Sequence, residues 1–223
     1  MEVICDLNYN EELNERVPEI NESVFNVDFL DIPGGWFEKY KAATAELLSR
    51  QDLHPFTRES IVIMTSETGK DFEAFYKEAI QSLGFLRQGI DVTLQHNDIQ
   101  ENNFMVRNTD KLSPLMIDFE YSAINLRGTD IASYCNEATI NYTHKDFPYY
   151  KISYEWELPE DIKELAYVSY LERFYDCHLP MNLKWPNKED FLKTELPILR
   201  KQVEVCRMLQ DIQWAVWTVL MMP

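Results

Sequence analysis

Two polar islands sit among apolar stretches of this chain: His-Asn-Asp-Ile-Gln-Glu-Asn-Asn at positions 96–103 and Asp-Phe-Glu-Tyr-Ser at 118–122. Polar groups taken out of water without partners are costly, so such islands persist beside a core only where their side chains bond one another or a ligand. The flanking apolar runs, around Val92 to Leu94, Phe104 to Val106 and Leu115 to Phe119, predict three short strands. A chain built this way must hold a cluster of carboxylates and amides on a small β framework.

Elsewhere the periodicity is helical. Trp36, Phe37, Tyr40, Leu47 and Leu48 recur at helical spacing, and Phe72, Phe75, Tyr76, Ala79, Ile80 and Leu83 do so more clearly. After Pro159 a further helix is expected to bury Ile162, Leu165, Ala166, Tyr170 and Phe174, and a long helical stretch from about Glu189 is expected to be interrupted at Pro197. Residues 1–35, with Glu11, Glu12, Glu15, Glu19 and Glu22 and a closing Pro33-Gly34-Gly35, read as a loosely packed acidic leader or loop. The expected class is α+β, mostly helical, with a few short strands around the first island.

Composition narrows the function. With 45% hydrophobic residues the 223-residue chain can bury a real core. A net charge of -17 argues against a nucleic-acid partner and is compatible with a cationic substrate. No run is long and apolar enough for membrane insertion, and the first twenty residues lack the plan of a signal peptide. Cys5, Cys135, Cys177 and Cys206 show no metal or disulfide spacing, which fits a cytoplasmic protein with free thiols.

The islands can then be read as chemistry. Kinase-type phosphoryl transfer uses a loop in which an Asp two residues after a His is followed, after four intervening residues, by an Asn; a later Asp-Phe supplies a further carboxylate. Here His96-Asn97-Asp98 is followed after four residues by Asn103, and Asp118-Phe119 lies fifteen residues beyond it. One carboxylate accepts the proton of a substrate hydroxyl, while an amide oxygen and a second carboxylate hold magnesium against a triphosphate.

HNDIQENN together with LMIDFEYSAINLRGTDIASYCNE resembles the paired signature of choline and ethanolamine kinases. The aminoglycoside phosphotransferases share the H-x-D-x-x-x-x-N pattern but not the DFEYS run. The resemblance extends from about Trp36 to the end of the chain and is strongest between residues 94 and 142. It implies Asp98 as catalytic base, Asn103 and Asp118 as magnesium ligands, and Gln100 and Glu120 as supports near metal and phosphates. It also matches Trp214 and Trp217 to the family's paired tryptophans, and Tyr121, Glu137 and Tyr142 to its cation pocket, since a quaternary ammonium is held by aromatic faces and a nearby carboxylate.

The resemblance implies ATP as co-substrate, Mg2+ as cofactor, choline or ethanolamine as acceptor, and a homodimer in the full-length parent. Gln100-Glu101 and Arg127 to Asp130 look more like the choline branch. Asp211-Ile212-Gln213 and Ala123 to Leu126 depart from the family pattern, which puts the pocket wall in question. The G-x-G-x-x-G of a nucleotide-covering loop does not occur in these residues. The chain is therefore expected to be the C-terminal lobe, residues 36–223, without its nucleotide lobe and short at its C-terminal end, and inactive when isolated. A choline-binding module without catalysis is the alternative.

Overall fold

The computed structural model describes residues 1–10, 12, 35–65, 72–87, 89–106, 108, 114–147, 149–180, 183 and 185–222. In chain order its elements are α1 (Glu2–Asn8), α2 (Trp36–Ser49), α3 (Pro55–Thr65), α4 (Phe72–Ser82), β1 (Val92–Gln95), β2 (Phe104–Val106), β3 (Pro114–Met116), β4 (Ala123–Leu126), α5 (Thr129–Glu137), β5 (Ile140–Asn141), β6 (Lys151–Ile152), α6 (Glu160–Cys177) and α7 (Lys188–Leu220). The mostly helical α+β class is as expected. No described helix is long and apolar enough to cross a membrane.

The strands pair antiparallel in three ribbons. β1 lies against β4 with Val92 opposite Leu126 and Gln95 opposite Ala123; β2 lies against β3 with Phe104 opposite Met116; β5 lies against β6 with Ile140 opposite Ile152. The third strand was expected to reach Phe119 but ends at Met116, because Asp118 turns the backbone into the left-handed region at φ 64. β4 carries no alternation that would mark it in advance; its Ala123 and Leu126 are buried and its Asn125 is buried too.

α7 is the spine, packing against α2, α4, α5 and α6. Asn187 caps it, its side-chain oxygen accepting from the Asp190 amide at 2.9 Å, and Glu189 and Asp190 place negative charge in the first turn. The expected interruption at Pro197 does not occur: the helix runs through it for 33 residues. Proline there removes one amide donor, at a cost of about 3 kcal/mol. Phe191 and Leu199, buried on either side of it, continue into Val203, Cys206, Leu209, Val216 and Val219, and this apolar face opposes a break. Gly128, which precedes α5, is set by α7. A Cβ there would stand 3.0 Å from backbone atoms of Gln202 and Val203, so the close approach of α5 to α7 requires glycine.

Two further expectations need correction. α6 buries Lys163, Ala166, Tyr167, Tyr170, Leu171 and Phe174, while Ile162 and Leu165 face solvent, so its core stripe is rotated from the one expected. The expectation of a loose leader fails at its start, where α1 buries Ile4, Cys5, Leu7 and Asn8 against α6 and β1. Residues 11 and 13–34 of that segment lie outside the described residues.

A buried ion network ties the ends of β1 and β4 to α7. Arg87 makes paired bonds to Asp91 (2.6 and 2.9 Å) and to Glu195 (2.7 and 2.8 Å), and Arg127, fully buried, reaches Glu195 at 2.9 Å and Asp91 at 3.2 Å. Gln202 bridges Arg127 and Asp91. Burial alone would raise the pKa of Asp91; its bonds from Arg87, with Arg127 and Gln202 beside it, bring it down to about 2 instead. Asp91 therefore contributes its full stability above its unfolded value of 3.8 and loses it as pH falls from there toward 2. A shift of this size is worth about 2 kcal/mol. About half of this, about 1 kcal/mol, is lost by pH 3, so we expect the melting temperature to drop by roughly 2–4 °C through this group on acidification from about pH 6 to about pH 3, and Asp91→Asn, less stable at pH 6, to show a shallower acid slope by calorimetry. Equal slopes would contradict the network's role.

Candidate functional site

β1 ends by delivering His96, Asn97 and Asp98 to the top of α5. The amides of His96 and Asn97 donate to the two carboxylate oxygens of Asp130, at 2.9 and 2.8 Å. Burial pushes the Asp130 pKa up, and these two N–H donors pull the other way. Asn97 sits at φ 65, a conformation asparagine tolerates better than most residues. Both ends of its side chain are engaged: Nδ2 donates to the Tyr121 carbonyl at 2.8 Å and Oδ1 accepts from Asn125 at 3.0 Å. His96 Nε2 lies 2.9 Å from the Ile117 carbonyl, which can only accept, so this nitrogen carries the proton. The ring also leans on Phe119, with centroids 4.9 Å apart.

Asp98, half-buried, is fixed by its own loop. Asn103 Nδ2 donates both to the Asp98 carbonyl and to its Oδ2, each at 2.8 Å, and Gln100 Nε2 reaches the same Oδ2 at 3.3 Å. A 3₁₀ turn over Glu101–Asn103 makes this geometry possible. The Asn103 carbonyl accepts from the Ile117 amide at 3.0 Å, which brings the next residue, Asp118, beside the loop. Asp118 and Glu120 are exposed. With its amide nitrogen bonded to Asp98, Asn103 offers Oδ1 to a cation. That oxygen and the Asp118 carboxylate are hard donors of the kind magnesium accepts alongside water and phosphate. Among the described residues no group of three or more His, Cys, Asp or Glu could hold a metal by itself.

The charge of Asp98 reaches two further groups. Tyr121 and Trp214 meet edge to face with centroids 5.9 Å apart, and Trp214 meets Trp217 in the same way at 5.6 Å. The hydroxyl of Tyr142 donates to both oxygens of Glu137, at 3.0 and 3.1 Å. Desolvation first, then the charges of Glu120 and Asp98, raises the pKa of Tyr121. Desolvation likewise raises Glu137 and Tyr142, and Asp98 pushes both further. The charge of Asp98 thus acts on all three groups. Of the residues singled out from the sequence, Asp98 bonds directly with Gln100 and Asn103, Tyr121, Trp214 and Trp217 form one aromatic group, and Glu137 and Tyr142 form a hydrogen-bonded pair.

Sequence reading missed Asp130, Asn97 and Asn125 as supports. Asp130 stood only as part of the Arg127 to Asp130 run, and no spacing rule links it to His96. The departing stretch Ala123 to Leu126 forms β4, paired to β1, and its Asn125 donates to Asn97. In the other departing stretch, Ile212 and Gln213 are buried, and Asp211 accepts from Asn136 at 3.2 Å. If the left-handed turn at Asn97 matters as described, Asn97→Val should be less stable than Asn97→Gly by about 1–3 kcal/mol, because only glycine relieves the backbone. Equal melting temperatures for the two variants would show that the conformation carries no such cost.

Comparison with known proteins shows a family. The family model described as choline/ethanolamine kinase matches residues 18–222. A human choline/ethanolamine kinase is 32% identical over 135 residues, 58% of this chain and 31% of the relative. Mouse choline kinase alpha is 27% identical over 134 residues, 58% of this chain and 28% of the relative. The chain thus spans about a third of the length of these curated relatives. The structure of a choline kinase from Cryptosporidium parvum superposes with a TM-score of 0.62 at 25% identity, covering 98% of this chain and 57% of that one. Its protein-kinase-like fold is therefore shared here. On these matches and the HNDIQENN and DFEYS islands, the chain belongs to the choline/ethanolamine kinase family.

Proposed function

We propose that this chain forms the part of an ATP-dependent choline kinase that holds the amino alcohol and removes its proton, ethanolamine being the alternative acceptor. The observation that carries the reading is that the charge of Asp98 reaches both Tyr121, whose ring meets the Trp214–Trp217 pair, and the Glu137–Tyr142 pair. In this reading Asp98 accepts the proton of the alcohol as its oxygen bonds to the γ-phosphorus of ATP, and the bond from that phosphorus to the β-phosphate bridging oxygen breaks to release ADP. Asn103 keeps the carboxylate aimed, and Gln100 and Glu120 support the metal and phosphate side. Asn103 Oδ1 and Asp118 would hold Mg2+, which supplies charge neutralisation to the phosphates when bound.

Choline fits these groups better than ethanolamine. A quaternary ammonium has no N–H to donate, so the ring faces, each worth about 0.5–2 kcal/mol, must hold it with Glu137 as counter-charge. Gln100-Glu101 and the Arg127 to Asp130 run support the same branch. We place the protein in the cytoplasm, since Cys5, Cys135, Cys177 and Cys206 are all free thiols. Magnesium-ATP is then the nucleotide, and a homodimer is the expected assembly of the full-length parent.

Titration calorimetry of the chain against both amino alcohols tests the substrate reading. Trp214→Ala and Trp217→Ala should weaken choline by about tenfold and ethanolamine by less, because a primary ammonium can still donate hydrogen bonds to Glu137. Equal losses for both ligands would assign the tryptophans to packing alone.

A further inference from the structure

α1 precedes the span matched by the family model, residues 18–222, yet one of its side chains reaches the support of the 96–103 loop. Asn8 is fully buried. Its Nδ2 donates to the Leu94 carbonyl at 2.9 Å and to Asp130 Oδ2 at 3.1 Å, and its Oδ1 accepts from the Tyr170 hydroxyl at 2.7 Å. Leu94 lies on β1, the strand that leads into the loop, and Asp130 accepts the His96 and Asn97 amides. One carboxamide therefore touches both the strand that carries the loop and the carboxylate that holds it.

The geometry explains why a third donor is needed. The two oxygens of Asp130 must face two successive backbone amides at once, which fixes the rotation of the carboxylate about its last bond. Asn8 Nδ2 on Oδ2, opposite the Asn97 amide on Oδ1, sets that rotation. Asn8 is itself delivered rigidly. The Tyr9 hydroxyl donates to the Ile90 carbonyl at 2.7 Å, and Asp6 bonds Arg173 at 2.7 and 2.8 Å and His178 at 2.8 Å. A carboxamide brings the donor without charge, whereas a carboxylate in its place would face Asp130 across the same short distance.

We propose that Asn8 is a positioning residue for the 96–103 loop, acting through Asp130 to keep Asp98 on its line; as a statement about catalysis this rests on the reading of Asp98 as the base. Only the amide hydrogens of His96 and Asn97 need be read to test it. In the whole 223-residue chain, Asn8→Ala should lower the exchange protection of these two amides by about tenfold or more relative to amides in the middle of α7, since it removes a buried partner from Asp130, Leu94 and Tyr170 together. Asp6→Ala serves as control. It loosens the other side of α1 without touching Asp130 and should change the ratio by less than about twofold.

Asn8→Asp makes the test specific and also covers an unfolded Asn8→Ala. Its protection ratio at His96 and Asn97 should be lowest near neutral pH and recover as pH falls through the carboxyl range, where the protonated carboxyl can again donate to Asp130. The other titratable or charged groups facing this point are His96, Tyr170 and Cys206, with Tyr9, Cys5 and Arg127 around Tyr170, so the wild-type chain at each pH is the reference. Equal losses in Asp6→Ala and Asn8→Ala, or an Asn8→Asp ratio that stays flat with pH, would overturn the proposal. Turnover is not read, so a failure of the kinase assignment and a failure of this inference are separate results.

Discussion

The carboxylate of Asp130 takes the amides of His96 and Asn97 from a strand end that would otherwise leave both donors buried and unpaired. Unpaired buried amides cost about 1–3 kcal/mol each, so the loop cannot leave this carboxylate without a substantial loss. The rest of the architecture keeps the carboxylate in place. Gly128 lets the start of α5 approach α7, the Arg87, Asp91, Arg127 and Glu195 network anchors the strand ends beside it, and α1 closes the remaining side through Asn8. Asp98 follows directly from this clamp and receives its own bonds from Asn103. Position is thus set by backbone and buried side chains, and the half-exposed carboxylate needs only to point outward.

The surroundings of Asp98 are acidic and aromatic at once. Glu101, Glu120 and Glu137 add negative charge near it, and the pKa of Glu137 rises by desolvation and by the field of Asp98 and Glu101. A cation placed among these groups would relieve that repulsion and pull Glu137 back down, so binding a positively charged ligand and ionising the site favour each other. The net charge of -17 extends the same preference over the surface as a long-range attraction, which salt would screen.

Much of the site was legible because chemistry imposes spacing. A base and a metal-binding amide on one loop must stand a fixed number of residues apart, which is why Asp98 and Asn103 could be named from HNDIQENN, and why DFEYS marked Asp118, Glu120 and Tyr121. Trp214 and Trp217 stand one helical turn apart, and the helix that carries them was readable from its period. The supports had no such signature. Asp130 meets His96 across 34 positions and Asn8 meets Asp130 across 122, separations set by tertiary packing alone. The same cause explains the other misses. Pro197 was overridden by the burial on both sides of it, α1 is too short to show a period, and β4 reads as strand only when β1 lies beside it.

The central claim is that Asp98, held by Asn103 and the Asp130 clamp, takes the proton of the acceptor alcohol. Steady-state kinetics of Asp98→Asn in the catalytically competent protein, with choline and magnesium-ATP, tests it most directly. The account predicts a fall in kcat of at least about two orders of magnitude with KM for choline little changed, because a general base contributes on that scale while the rings and Glu137 still bind the cation. Turnover within a few-fold of the unsubstituted enzyme would contradict it.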